Sequence, residues 1–274
     1  MTEVEWGRLP AQALRALADD NAVVILPIAS IEQHGPHLPV MTDTRLGSEI
    51  AVRAARKAFD RRKAVVTPVV WSGLSEHHMA FGGTLTVSHA TFRAIIADLI
   101  AALTRQGFRD VLISNSHGGN MLAMQNILDE LALESDATLV GTTYVTEAGS
   151  TYCDVLDDQD GIMHACEGET SMMMVCEPEL VDRRDLGALN TAVSAAPSFL
   201  KAGQASYRWR PLTHVTGNGV IGFPEKANEE KGEALLERGA MAIADLIADP
   251  QTWAQPLDQR GAGTHGIPFR KDSI

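Results

Sequence analysis

Three residues that could bind a metal ion lie close together near the start of the chain. Glu32 and His34 are two positions apart, so on an extended backbone both side chains point the same way, about 6–7 Å apart. Asp43 stands at the start of the next predicted helix and can fold back over the same spot. Carboxylate and imidazole groups are ligands that Zn²⁺, Mn²⁺ and Fe²⁺ accept, so together the three predict a metal site. Each residue alone is more often a polar loop residue beside a strand end.

A second segment, residues 115–120 (NSHGGN), ends a predicted strand. In open α/β sheets, ligands bind outside the carboxyl ends of the strands, so His117 would face the same sheet edge as the first segment. Gly118 and Gly119 allow the backbone to approach a ligand closely and present N–H groups at a helix start. The alternative is an ordinary turn in which His117 has no special role.

A third segment, residues 164–171 (HACEGETS), begins a predicted helix. Glu167 is interpreted as an acidic first-turn residue, which the positive end of a helix favours. Glu169 has no periodic reason to be exposed, because Met172 and Met173 continue the apolar face behind it. The methionines are interpreted as core packing rather than as a cofactor site. Glu169 is therefore a further candidate for a functional residue.

Apolar runs and helical periodicities alternate through the first half of the chain. Short apolar runs are typical of strands buried on both faces, and stripes at helical spacing are typical of helices that cover such a sheet. The predicted strands are residues 22–29, 64–71, 110–116 and 137–145. The first predicted helix is capped by Asp43 or Thr44. The other predicted helices are residues 88–106, 120–133, 169–176 and 228–248. This order predicts one α/β domain over residues 1–274, a three-layer αβα arrangement with a mostly parallel sheet. Residues 187–224 have no firm period and are predicted to form long loops near the site.

The composition argues against several classes of function. The formal net charge of -12 and the pI near 5.2 oppose binding to a nucleic-acid backbone. The longest apolar stretch, residues 22–31, is far shorter than the roughly 20 residues of a membrane-spanning helix, and residues 1–10 lack a secretory signal. Three cysteines without CxxC spacing are typical of a reducing compartment. We expect a cytoplasmic protein with a small-molecule substrate and no nucleic-acid or membrane partner.

Taken together, these segments resemble the motifs of the creatininase (creatinine amidohydrolase) family. Its members show E-x-H-G-x-H-L-P followed by T-D, then N-x-H-G-G-N, then H-A-G-x-x-E-T-S. Residues 32–43, 115–120 and 164–171 match these motifs in the same order, with Cys166 in place of one glycine. Two lesser matches are H-x-x-F-P-G-T at residues 78–84, with Gly82 for proline, and K-G-E at residues 231–233.

The resemblance implies a compact αβα domain, one or two divalent ions per subunit and a homo-oligomer, often a hexamer. Zinc is the expected ion, with manganese or iron as alternatives. His164 would stand beside the metal as a proton carrier, and Glu169 would belong to the catalytic set with it. Asp43 would bridge the ions if two are bound. By position, the ligands implied are Glu32, His34, Asp43, His117 and Glu169.

These parts suit hydrolysis of an amide. A metal ion lowers the pKa of a bound water toward about 7 and polarises the carbonyl, and His164 could then protonate the leaving nitrogen. Backbone N–H groups of Gly118 and Gly119 are candidate donors to the developing oxyanion. His78 and Tyr152 are expected at the rim of the substrate pocket, together with the predicted long loops.

Two departures from creatininase proper concern the substrate. Creatininase proper has an acidic ligand two residues after its metal-binding histidine, where this chain has Gly119. It also has tryptophans over the active site, whereas residues 144–163 contain none. The sequence therefore predicts a metal-dependent amidohydrolase that acts on another cyclic amide, a formamide or a related small polar C–N substrate.

Other functions remain as alternatives to this interpretation. A metal-dependent lyase, isomerase or C–C hydrolase could use the same ligands, and release of equal amounts of amine and carboxylate would distinguish hydrolysis from these. A non-catalytic metal- or ligand-binding protein is a second alternative. A protein that only binds a metal would not need a proton carrier such as His164 beside a complete set of ligands. A Rossmann-type oxidoreductase is disfavoured because no GxGxxG follows the first predicted strand.

Overall fold

The computed structural model describes residues 2–157, 159–191, 209–257 and 259. Its strands are β1 (Val23–Ile28), β2 (Ala64–Val66), β3 (Asp110–Asn115) and β4 (Thr138–Thr143). They form one parallel sheet in the order β2-β1-β3-β4. Val23 of β1 lies opposite Ala64 on one side and Asp110 on the other. The predicted α/β class with a parallel sheet is confirmed.

Helices cover both faces of this sheet. They are α1 (Ala11–Asp19), α2 (Thr42–Ala58), α3 (His89–Arg105), α4 (Met121–Leu131), α5 (Tyr144–Ala148), α6 (Glu167–Cys176) and α7 (Glu229–Ala248). Val23 and Ile25 of β1 pack with α2, α5, α6 and α7, whereas Val24 and Leu26 pack with α1, α3 and α4. Successive side chains of a strand point to opposite faces, so the helices form two outer layers, as predicted. None of these described helices is long and apolar enough to cross a membrane.

The second strand is shorter than the predicted residues 64–71. Pro68 has no N–H to donate to a neighbouring strand, and β2 ends two residues before it. Contact with β1 resumes at one point, where the N–H of Val70 donates to the carbonyl of Pro27 at 2.9 Å. The remainder of the predicted strand is therefore a loop that runs along the edge of the sheet.

The ends of α3 and α7 agree with the sequence patterns to within one residue, whereas the start of α2 differs. Ser88 accepts a hydrogen bond from the backbone three residues later and caps α3, and Gly107 follows that helix with a φ of 97°. α2 begins two or three residues earlier than predicted, with Met41 at the cap position, so Asp43 lies within the first turn and is not the N-cap. The short helices α1 and α5 have no counterpart in the sequence prediction. The early start of α2 places the carboxylate of Asp43 on a rigid element.

The predicted long loops of residues 187–224 are described only in part. Short 3-10 turns occupy Leu186–Leu189 and Leu212–His214. Residues 192–208 lie outside the described residues.

The contact between α6 and α7 holds the end of α6 that carries Glu169. A side chain at Gly232 of α7 would overlap the carbonyl of Ser171 in α6, so the two backbones are in close approach. The ammonium group of Lys231 lies 2.5 Å from the carboxylate of Glu167, which is fully buried at the first residue of α6. The K-G-E segment therefore fixes α6 against α7, and Glu167 is an ion-pair partner as well as a first-turn residue.

Candidate metal centre

Five acidic and histidine side chains converge at the carboxyl end of the sheet, and none is more than 5% exposed. Two come from the loop after β1, one from the first turn of α2, one from the loop after β3 and one from the first turn of α6. They are Glu32, His34, Asp43, His117 and Glu169. The structure therefore brings together all five positions that the family resemblance selected.

The five side chains form two groups that share Asp43. In the first group, His34 Nε2 lies 3.3 Å from Asp43 Oδ1 and 3.8 Å from Glu169 Oε2. In the second group, His117 Nδ1 lies 3.1 Å from Glu32 Oε2 and 3.2 Å from Asp43 Oδ2. The candidate ligand atoms of each group lie within 4.8 Å of one another, which is close enough for all of them to contact one ion. The two oxygens of Asp43 face different groups, as a bridging carboxylate would.

Two atoms at the centre of the cluster lack ordinary partners. His34 Nε2 and Asp43 Oδ2 are buried, and neither has a hydrogen-bond partner among the described residues. Buried polar atoms are nearly always paired, so these two atoms indicate a ligand between them and their neighbours. Imidazole and carboxylate donors are those of zinc and manganese sites. The residues therefore fit a divalent metal ion.

The charges in the cluster depend on one another. Burial alone would lower the pKa of His34, but the carboxylates of Asp43 and Glu169 outweigh it and raise the pKa to about 10. Burial would lower the pKa of His117 as well, and Glu32 reverses the direction. Burial raises the pKa of Glu169 to about 7, against the attraction of His34. Protons on the imidazoles balance the carboxylates in the absence of a cation, and a divalent ion would displace those protons on binding.

Hydrogen bonds from neighbouring groups orient the candidate ligands. His34 Nδ1 donates to the carbonyl of Glu32 at 3.1 Å, which leaves Nε2 to face the centre of the cluster. Ser75 Oγ donates to Glu32 Oε2 at 2.7 Å. The backbone N–H of Ala165 donates to Glu169 Oε2 at 2.5 Å. Outer contacts of this kind hold ligand atoms in place and raise their affinity for a metal.

His164, the predicted proton carrier, stands at the edge of the cluster. Its Nδ1 lies 3.7 Å from Glu32 Oε1, and its ring centroid lies 4.3 Å from that of His34. Its side chain is 14% exposed, which makes it more open to the pocket than any of the five candidate ligands. Burial and the charge of His34 lower its pKa to about 3, so the ring is neutral near pH 7.

Two predicted substrate contacts lie deeper than expected. His78 lines the pocket, but its ring is only 3% exposed and its Nε2 faces Glu32 Oε1 at 3.3 Å. Tyr152 is fully buried in the core, where its hydroxyl packs against Gly239 of α7. The assignment of Tyr152 to substrate binding is therefore wrong. The missing side chain at Gly239 leaves the space into which the tyrosine ring extends.

A pocket of about 750 Å³ opens in front of the cluster. Gly118 and Gly119 line it, and so do four residues that the sequence analysis did not select: His77, Leu122, Trp209 and Arg210. Trp209 is half exposed and provides an aromatic wall from a segment later than residues 144–163. The absence of tryptophan from residues 144–163 therefore does not leave the pocket without an aromatic wall. The one signal for Trp209 was its place in the loops predicted to lie near the site.

Gly119 has no room for a side chain. A Cβ there would overlap His117 Nε2 and the carbonyl of Leu74, and it would lie 2.9 Å from Cε1 of His77. His77 thus stands where a side chain at position 119 would extend. Position 118 differs, since a Cβ at Gly118 would meet no atom within 4 Å.

We expect Gly119→Ala to weaken zinc binding by roughly 10–100-fold, the usual cost of disturbing the surroundings of a metal ligand. The added methyl group must displace the imidazole of His117. Competition with a chromophoric zinc chelator measures the affinity. Gly118→Ala is the matched control and should bind zinc as the wild-type protein does. Wild-type affinity in both variants would contradict the assignment of His117 as a ligand.

Comparisons with known proteins identify the family of this chain. A sequence profile of the family described as creatinine amidohydrolase matches residues 8–247. The mycofactocin precursor peptide peptidase of Mycolicibacterium smegmatis is 31% identical over 229 residues, which cover 82% of this chain and 84% of that protein. The creatinine amidohydrolase of Pseudomonas putida is 26% identical over 267 residues, which cover 90% of this chain and 95% of that protein. A crystal structure of creatinine amidohydrolase matches with a TM-score of 0.75 at 24% identity, over 93% of this chain and 100% of that chain.

Proposed function

The chain belongs to the creatinine amidohydrolase family and is a metal-dependent hydrolase, and from that premise we propose that it cleaves an amide C–N bond in a small polar substrate other than creatinine. The observation that carries this proposal is the pair of ligand groups that share the carboxylate of Asp43. The proposed ligands are Glu32, His34, Asp43, His117 and Glu169.

Zinc is the ion that we propose, with manganese and iron as alternatives. Two imidazoles and three carboxylates provide nitrogen and oxygen donors, which all three ions accept. Two separate ligand groups support two ions per subunit, with Asp43 between them. A single ion would leave one of the groups to be neutralised by protons.

When bound, such an ion supplies Lewis-acid chemistry, since it lowers the pKa of a water molecule and polarises a carbonyl group. His164 Nδ1 lies beside Glu32 on the open side of the cluster, where the neutral ring can take a proton from the attacking water. The same nitrogen can then pass that proton to the leaving amine. Gly118 and Gly119 border the pocket, and their N–H groups can donate to the oxygen that becomes negative.

The pocket supports a substrate larger than creatinine. Its volume of about 750 Å³ falls within the roughly 300–1,000 Å³ of pockets that hold drug-sized ligands. Trp209 and Leu122 offer an apolar wall on which a planar or aliphatic group can pack. Peptide amides join cyclic amides and formamides as candidates, because one relative is a precursor peptide peptidase.

We expect little or no turnover of creatinine. Position 119 has no room for the acidic ligand of creatininase proper, and His77 occupies the adjacent space. An altered metal environment should lower kcat/KM for creatinine by a factor of several tens or more, because a loss of about 1.4 kcal/mol of transition-state stabilisation already lowers it tenfold. The test is an assay of zinc- and manganese-loaded protein with creatinine beside lactams, hydantoins, formamides and short peptides, with both amine and carboxylate quantified.

Creatinine turnover at about 10 s⁻¹ or more, a rate typical of dedicated enzymes, would contradict the substrate proposal. Release of amine without carboxylate would instead favour a lyase. Metal-loaded protein that cleaves no member of the panel would count against amide hydrolysis itself.

The assembly and location are also proposals. We propose single-domain subunits that form a homo-oligomer, with the hexamer that the family resemblance implies. Light scattering on the purified protein measures the number of subunits. The three free cysteines support a cytoplasmic location.

A further inference from the structure

Gln33 lies between two proposed ligands in the chain, and its side chain is buried. The backbone N–H of Gly35 donates to Gln33 Oε1 at 3.0 Å, and a side chain at Gly219 would overlap the same oxygen. A backbone N–H can only donate, so Oε1 is the acceptor and Nε2 is the NH₂ group. The orientation of the side-chain amide is thereby fixed.

This orientation determines where His78 carries its proton. Gln33 Nε2 lies 2.9 Å from His78 Nδ1. An NH₂ group cannot accept a hydrogen bond, so Nδ1 accepts and the proton of the neutral ring resides on Nε2. The protonated Nε2 faces Glu32 Oε1 at 3.3 Å, so His78 is set to donate to a proposed ligand.

The same residue also contacts His164. Gln33 Nε2 lies 2.9 Å from His164 Nε2 and 3.3 Å from the carbonyl of Gly219. The backbone carbonyl of Gln33 lies 2.9 Å from His164 Nε2 as well. If this nitrogen carries no proton, the amide donates to it. If it carries one, it donates to the carbonyl of Gln33, and the amide proton has Gly219 as its acceptor. The ring is held in place in both tautomers.

We propose that Gln33 is a positioning residue for the hydrolysis proposed above, on which this inference rests. It sets the tautomer of His78, and the N–H of His78 then holds Glu32 Oε1, so that Oε2 is left to face His117 Nδ1, with which it would hold an ion. It also holds His164 against the open side of the cluster. Gln33 touches neither the reacting atoms nor the ion, and it acts through its two histidine neighbours.

Neutron diffraction from crystals of the zinc-loaded protein grown in heavy water tests the tautomer directly. We expect deuterium on His78 Nε2 and none on His78 Nδ1. A Gln33→Glu variant provides a second test, because a carboxylate can only accept at this position. A neutral His78 ring should then carry its proton on Nδ1, and Glu32 Oε1 should lose the donor at His78 Nε2. We expect zinc affinity to fall by roughly 10–100-fold, as for other groups that orient a ligand.

Competition with a chromophoric chelator measures that affinity, and Gln125→Glu is the matched control. Gln125 is exposed on α4, so the same chemical change there should leave zinc binding unaltered. Deuterium on His78 Nδ1 of the wild-type protein would overturn the proposal, as would wild-type zinc affinity in Gln33→Glu.

Thermal melting of the zinc-free proteins establishes whether Gln33→Glu folds, and if it does not, the neutron result on the wild-type protein decides. Neither readout depends on a substrate. A protein that cleaves no amide, yet shows the expected His78 tautomer and the weakened zinc binding, would refute the proposed reaction and leave the action of Gln33 on the zinc site in place.

Discussion

Replacing Asp43 by asparagine should remove metal from both positions and lower turnover by roughly 10³-fold or more. Lewis-acid catalysis by a metal ion lowers the activation free energy by several kcal/mol, and each loss of about 1.4 kcal/mol slows the reaction tenfold. Asp43 Oδ1 lies 3.3 Å from His34, and Oδ2 lies 3.2 Å from His117. An asparagine has one neutral oxygen and one NH₂ group, so one ligand group loses its oxygen and the other keeps only a neutral one. The remaining imidazoles also lose a charge that balances their protonated forms.

Elemental analysis measures the bound metal, and thermal melting with and without zinc measures binding independently. Zinc at a hundredfold excess over its Kd should stabilise the wild-type protein by about 2.7 kcal/mol for each bound ion and leave Asp43→Asn nearly unchanged. Asp98→Asn on the exposed face of α3 is the control for the substitution itself. An Asp43→Asn variant that retains two ions and wild-type turnover would disprove the bridging role.

Most of the fold could be predicted from local patterns. The helix predicted over residues 88–106 is α3, and its capping serine and terminal glycine behave as their residue types predict. β1 is a continuous apolar run and β3 has one at residues 111–113, because both faces of the sheet are covered, so each strand is visible in a few neighbouring residues. The prediction for β2 failed only where Pro68 interrupts the hydrogen bonds between strands.

The candidate ligands could be selected because each stands directly at an end of a strand or helix. Glu32 and His117 follow neighbouring parallel strands, and the carboxyl ends of such strands meet at one edge of a sheet. The motif order then supplied Glu169, whose burial the helical periodicity of its neighbours already indicated. What the spacing could not give was the division into two groups, which depends on how the carboxylate of Asp43 turns.

The residues that were missed or misplaced depend on contacts between distant parts of the chain. Gln33 meets His164 across 131 positions, so no local pattern indicates that the two are joined. Tyr152 is expected from the sequence at the rim of the pocket, and only its contact with Gly239 of α7 explains its burial. Trp209 reaches the pocket through a loop without periodicity. Such long-range packing determines the pocket wall, and therefore specificity was less predictable than the metal ligands.

A His164→Ala variant should keep its metal and lose roughly 10²–10⁴-fold in turnover, the usual range for a proton-transfer group. His164 Nε2 is occupied by Gln33, and Nδ1 lies 3.7 Å from Glu32 Oε1 on the open side of the cluster. Glu169→Ala should instead weaken metal binding, because Glu169 Oε2 faces His34 within one of the ligand groups. Metal analysis and turnover of the best panel substrate, measured on both variants, separate the two roles.

A competing assignment makes this comparison decisive, because His164 also forms a candidate metal group with Glu32 and His34. If His164 were a ligand, its removal would release metal as strongly as Glu169→Ala does. If it carries protons, the variant keeps its metal, and free imidazole added to the assay should restore part of the turnover through the open pocket. Rescue by imidazole at unchanged metal content has no explanation in a ligand role. Equal metal loss in both variants would place His164 in the metal shell and leave the reaction without its proposed proton carrier.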